Sequence, residues 1–145
     1  TGKVVWAFRG PFFGQHDAEI TPDGTLLVFD NLGRRARREG ARVIEIDVKS
    51  GKVVRNRVDE SEYVLKSDVI SGQQQLDDGN LLIIESMRGR VVEVDPQGKI
   101  VWSFINPVRK EPGVDEMPVI PYAEKLGLNA LPPILANAIK QKVNP

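Results

Sequence analysis

The sequence predicts an all-β chain, a partial β-propeller of four-stranded antiparallel blades with a C-terminal helical tail. Three observations lead there. A phrase built on Gly-Lys recurs at a fixed interval, alternating runs precede it, and Asp-Gly turns stand at matching places further upstream. The copies of the phrase are Thr1-Gly2-Lys3-Val4-Val5-Trp6, Ser50-Gly51-Lys52-Val53-Val54-Arg55 and Gln97-Gly98-Lys99-Ile100-Val101-Trp102. Their Gly-Lys pairs begin at residues 2, 51 and 98, a period of about 48 residues that falls among propeller-like repeats.

Each element follows from these marks. Arg42-Val43-Ile44-Glu45-Ile46-Asp47 and Arg90-Val91-Val92-Glu93-Val94-Asp95 alternate apolar and charged residues, the period of half-buried strands. The short turns after them, Val48-Lys49-Ser50-Gly51 and Pro96-Gln97-Gly98, fold each run back on the Gly-Lys strand as a hairpin. Upstream, Pro22-Asp23-Gly24 and Asp77-Asp78-Gly79 are turns leading into the apolar runs Leu26–Phe29 and Leu81–Ile84, which read as buried strands. The expected strands of the first blade are 16–21, 25–31, 41–48 and 52–58, and those of the second 69–76, 80–86, 89–95 and 99–105. That makes about two full blades, blade 16–58 and blade 69–105, plus one extra N-terminal strand, 2–8, the last strand of a preceding unit. A closed barrel or a sandwich is the alternative, and it leaves the shared phrases unexplained. Trp6 and Trp102 hold the same place in the repeat and are expected to pack between blades, whereas Arg55 replaces them in the middle copy and is expected to be more exposed.

The repeated region spans 1–107, and residues 108–145 form a proline-punctuated segment and a helix. Val119–Leu126 is a candidate short element, and 129–142 reads as the helix, with proline in its first turn and lysines near its end. Leu131, Leu135, Ala138 and Ile139 would share one face and pack on the sheets or on a partner.

Composition narrows the function classes. The 145 residues are 41% hydrophobic and 28% charged, a globular balance, and 20 basic residues offset 20 acidic ones. No net field therefore points to nucleic acid as a partner. No apolar run is long enough for a membrane span, and no signal-like start is present. The chain opens on Thr1, which reads as a processed or excised piece. With no cysteine, disulfides and thiolate metal sites are excluded, although the compartment is not fixed by that. No metal cluster, glycine-rich phosphate loop or Ser-His-Asp set can be assembled, so neither metal nor cofactor is expected.

Two features could carry chemistry. The arginines of Gly33-Arg34-Arg35-Ala36-Arg37-Arg38-Glu39-Gly40 could grip an oxyanion, but as an insertion between two strands they read first as a solvated loop. His16, the single histidine, stands at the start of the first strand of its blade, the strand that faces the central funnel of a propeller. Alignment on the Asp-Gly turns puts Ser71 at its place in the second blade, so the repeat supplies no second histidine.

The ordered phrases GQHDAEITPDGTLLVFDN, ARVIEIDVKSGKVV and ISGQQQLDDGNLLIIESMRGRVVEVDPQGKIVWSFINP resemble the arylsulfotransferase-like β-propeller family, across 1–107. The resemblance implies a six-bladed propeller, usually outside the cytoplasm, that moves a sulfo group from an aryl sulfate to another phenol through a sulfated funnel histidine, without a nucleotide donor. It makes His16 the catalytic candidate and an aryl sulfate or small phenolic ligand the expected partner. Asp17, Asn31, Arg42 and Ser71 are the candidate ligand-binding residues, with Arg34, Arg35 and Arg42 the nearest cations in sequence. Sulfo transfer needs cationic donors and an acid around the imidazole, and one histidine cannot fill every role. Hence two alternatives remain beside a fragment completed by further blades: a non-catalytic binding module, or a chain that self-associates through open blade edges into a ring.

Overall fold

The computed structural model describes residues 2–33, 40–61, 63–108 and 118–143; the arginine-rich stretch 34–38 lies outside them. Eight strands form two four-stranded antiparallel sheets. The first is β1 (Gln15–Ile20), β2 (Leu26–Asp30), β3 (Arg42–Ile46) and β4 (Val53–Asn56). The second is β5 (Gly72–Gln75), β6 (Leu81–Glu85), β7 (Arg90–Val94) and β8 (Ile100–Ile105). Each sheet runs in sequence order from edge to edge, the meander that the hairpin turns require. These are the two blades of a propeller that this chain does not close. The strands are shorter than expected where the chain turns for another purpose: β5 starts only at Gly72 because Ile70 and Ser71 adopt left-handed backbone, and β4 ends at Asn56 because Arg57 turns inward.

The central strands are buried on both faces, which explains their unbroken apolar runs. Leu27, Phe29 and Val43 of the first sheet meet Leu81, Ile83, Val92 and Val94 of the second in one core. The opposite face of the first sheet, Val28, Ile44 and Ile46, is covered by Phe8 and Phe12. The opposite face of the second sheet is partly covered by the strap 118–127, whose Ile120 and Ala123 pack on Leu76, Leu82 and Val91. The strap has no regular structure before a 3-10 turn at Leu128–Ala130.

Arg57 joins the sheets. It is 2% exposed, pairs with Glu45 on β3 at 3.2 Å, and donates to the Gln75 side chain and the Gly79 carbonyl of the second sheet, both at 2.9 Å. Burial lowers its pKa, with the opposing pull of Glu45 second. For Glu45, burial raises the pKa, but the hydrogen bond from Arg55 and the charges of Arg57 and Arg55 outweigh it and leave the carboxyl below its ordinary range. Gly98 closes the same seam. Its carbonyl accepts from Asp59 N at 2.9 Å, and with φ of +86° and Asp59 N at 2.5 Å from where a Cβ would stand, no other residue fits.

Three expectations need amendment. Residues 2–8 join neither sheet, because a strand exists only as part of a ladder and no described residue pairs with them. Trp6 and Trp102 are 48% and 50% exposed. Trp6 stacks on Phe8, and Trp102 stands on the face of the second sheet beyond which no further sheet lies among the described residues. Arg55, at the matching place, is no more exposed than the two tryptophans, because its guanidinium folds onto the Glu45 carboxylate. The helix α1 spans Pro133–Val143, not 129–142, because proline disfavours helical backbone in the residue before it and is tolerated only in the first turn. Among the described side chains of the helix, only Ala136 is buried. Leu135, Ala138 and Ile139 of the expected face are exposed.

Candidate functional site

The first strands of the two sheets, β1 and β5, lie beside each other, and a polar cleft of about 470 Å³ opens between them. His16, Asp17 and Glu19 of β1 form one wall. Ser71, Gly72–Gln74 and Ile84 form the other, and Pro121–Glu124 of the strap complete the lining.

The cleft owes its shape to a bulge. On β1, His16 faces Phe29 and Glu19 faces Leu27, so three steps along β1 answer two along β2. Asp17 absorbs the extra residue with φ of +50°. Its carboxylate is thereby turned across to the second sheet, where it accepts from Gln73 N at 2.7 Å, while the Gln73 side-chain amide donates to the Asp17 carbonyl. Gly72 makes room for this crossing: a Cβ there would stand 2.8 Å from the Asp17 carboxylate. The bulge also changes the repeat alignment. Phe29 and Ile84 hold the same place after their turns, and the residue opposite Ile84 is Gly72, not Ser71.

His16 is held on two sides. Its ring stacks on Phe29 with centroids 5.2 Å apart, and Asn31 Nδ2 lies 2.9 Å from its Nε2. The Asn31 amide is itself oriented, because Nδ2 donates to the Ile70 carbonyl at 3.1 Å and Oδ1 accepts from the Ser67 hydroxyl at 2.9 Å. With Nδ2 fixed as a donor, Nε2 of His16 must accept, and the imidazole proton sits on Nδ1. Phe29 and Asn31 of the phrase Phe29-Asp30-Asn31 therefore both serve the histidine. Asp30, fully buried, accepts from Phe13 N at 3.0 Å just ahead of β1 and from the Arg42 guanidinium.

Of the residues expected at a site, His16, Asp17 and Ser71 come together in the cleft and Asn31 stands behind His16. Ser71 shares its hydroxyl with Ser67 and with the backbone of Ser86. Arg42 is elsewhere: its guanidinium is engaged by Asp30 and the Pro11 carbonyl, and the second sheet repeats the pairing with Arg90 beside Glu85 at 3.9 Å. Arg34 and Arg35 lie outside the described residues. Glu19, Gln73, Tyr122 and Glu124 escaped the sequence reading. The run Gln73-Gln74-Gln75, polar side chains on a strand that faces a funnel, was a usable signal; nothing local marks Tyr122 or Glu124.

Among the described residues, the three non-glycine residues with positive φ all border this region: Asp17, Ile70 at +59° and Ser71 at +79°. For a β-branched residue that conformation is costly, and such strain gathers at functional sites. The cleft is also acidic. The Tyr122 hydroxyl donates to Glu124 at 2.9 Å, and its pKa is raised first by that bond, then by burial and by the charges of Glu124 and Asp17. No group of metal-ligating side chains occurs among the described residues, and no described helix is long and apolar enough to cross a membrane.

The family model for arylsulfotransferase (ASST) matches residues 1–107. A comparison with curated proteins returned no match. Among solved structures, one of a protein of unknown function from Bacteroides caccae aligns at 20% identity and a TM-score of 0.44, over 63% of this chain and 31% of that one.

Proposed function

We propose, on the premise that this chain belongs to the arylsulfotransferase family, that it supplies two blades of a propeller that transfers a sulfo group between phenols, with His16 at the phenol oxygen. In such a transfer the S–O bond of the donor ester breaks, a new S–O bond forms to the acceptor, and the acceptor's proton ends on the departing phenolate. The observation that carries this reading is the Asn31 amide nitrogen held 2.9 Å from Nε2 of His16. Asn31 occupies Nε2, which argues against that nitrogen as the sulfur nucleophile and leaves Nδ1–H free to donate to phenolate charge as it develops. The sulfo oxygens need cations, and none lines the cleft among the described residues, so this reading requires them from further blades.

A second reading, binding without transfer, is favoured by the acidic lining of Asp17, Glu19 and Glu124, which repels a sulfate ester. One assay separates the two. The protein carrying this chain is incubated with 4-nitrophenyl sulfate and a phenol acceptor, and released 4-nitrophenolate is followed by absorbance. Transfer that falls by about 10²-fold in His16→Ala supports the first reading. Transfer unchanged in that variant removes His16 from the chemistry, and binding of phenols with no transfer at all selects the second.

A further inference from the structure

We propose that the outer edge of β8 is a self-association surface, through which two copies of the protein pair β8 to β8 about a two-fold axis. The strand order leaves four sheet edges, and three of them are closed to another chain. β1 and β5 lie beside each other, with the Asp17 carboxylate and the Gln73 amide crossing between them. β4 is four residues long and carries Arg55, and its chain leaves the edge at Arg57, which turns into the seam. Short edges and edge charges keep strands from adding to one another. β8 has neither protection. It runs for six residues, Ile100-Val101-Trp102-Ser103-Phe104-Ile105, without a charge or a proline, and no described residue pairs with its outer side. Val101, Trp102, Phe104 and Ile105 are between 43% and 55% exposed. The register opposite β7 skips Val101, a bulge at the start of the strand that leaves 102–105 regular.

The backbone shows which groups face out. Asn106 N donates to the Gly89 carbonyl just ahead of β7. Alternation then turns the N–H and C=O of Phe104 and Trp102 toward β7 and those of Ser103 and Ile105 away from it. An antiparallel partner centred on Ser103 lets the two Ser103 residues exchange both their N–H···O bonds, and it sets Trp102 of each copy opposite Phe104 of the other. Trp102 and Phe104 both line a groove of about 590 Å³ between β8 and the strap, so the rings of both copies lie on one face as cross-strand aromatic pairs. Ser103 stands opposite Val92, whose side chain belongs to the core between the sheets, so it faces the other way and is small enough to meet its own copy on the axis. A second copy is the occupant that this edge specifies: a strand of equal length, uncharged and self-complementary in this register. Such pairing is isologous and closes at two copies, unlike the ring that stacked blades would form.

The test is sedimentation equilibrium of the protein carrying this chain from about 1 to 100 µM, a range that brackets weak interfaces. It should show a reversible monomer–dimer equilibrium. Ser103→Pro removes an outward N–H without touching the ladder to β7, and Ser103→Lys brings two ammonium groups together on the axis. Each should weaken the dimer about tenfold or more while far-UV circular dichroism is unchanged. Added salt should restore part of the loss in Ser103→Lys and none in Ser103→Pro. With no cysteine in the chain, Ser103→Cys can be joined to its own copy by a short bismaleimide. Covalent dimer should form at concentrations where Ser50→Cys, in the turn between β3 and β4, gives none. A monomer throughout the range, species larger than a dimer, a dimer indifferent to both Ser103→Pro and Ser103→Lys, or cross-linking of Ser50→Cys as readily as of Ser103→Cys overturns the proposal.

Discussion

Ile70 holds a left-handed backbone that its branched side chain resists, at about 1–2 kcal/mol, and half of that side chain is exposed and contributes little packing in return. What the position supplies is its carbonyl, which orients Asn31 and through it His16. Ile70→Asn keeps the carbonyl and tolerates the conformation, so it should raise stability by about 0.5–1 kcal/mol, read as a higher urea midpoint at unchanged slope. A lower midpoint would mean that the side chain packs more than its exposure indicates. At this scale the sequence was only partly legible. His16 could be singled out because it is the single histidine on a funnel strand, but its partners could not. The bulge at Asp17 shifts the ladder by one residue, and no rule of alternation reveals a bulge, so alignment paired His16 with Ser71 where the ladder pairs it with Gly72. Arg42 looked available to an anion because its Asp30 partner sits across a strand pair, twelve residues away.

Among the elements, the two sheets repeat more than their strands. Glu45 and Glu93 are each buried on the same face of their blade, and each is met by a cation from later in the chain: Glu45 by Arg57 and Glu93 by Lys125. The strap thus does for the second sheet part of what the second sheet does for the first. It is fastened by Ile120 N to the Ser86 carbonyl at 3.1 Å and by a two-way bond between Gln74 and the Lys125 backbone. Ala123→Asp would put a charge against Leu82 and Val91 and should release it. Hydrogen exchange at 118–127 should then speed up about tenfold or more while amides of β6 and β7 stay protected. Loss of protection in β6 would show that the strap supports the sheet itself. The strands were readable from period and turns because those cues are local. The strap was not, since its contacts with Gln74, Ser86 and Glu93 are all long-range and its own sequence has no period.

Across the whole molecule, cohesion depends on the seam between the sheets, an apolar core with one buried charge pair at its margin. Because Glu45 is held below its ordinary range, it contributes stability that is present above the unfolded value of about 4.3 and is lost as pH falls through the lower folded value. The melting temperature should therefore be nearly flat from about pH 7 to 5 and drop below about pH 4. Glu45→Gln, which strands Arg57 without a full partner, should cost about 3–5 kcal/mol near neutrality, and the gap between it and the parent should narrow in acid. A gap constant with pH would remove Glu45 from the acid response.

The fixing of His16 has a practical side. A chain with one histidine, placed in the cleft with its tautomer set by Asn31, gives one set of imidazole nitrogen resonances that need no assignment strategy. Occupancy of the cleft, exchange of the imidazole proton and disturbance of the Asn31 contact can all be followed on that single spin system.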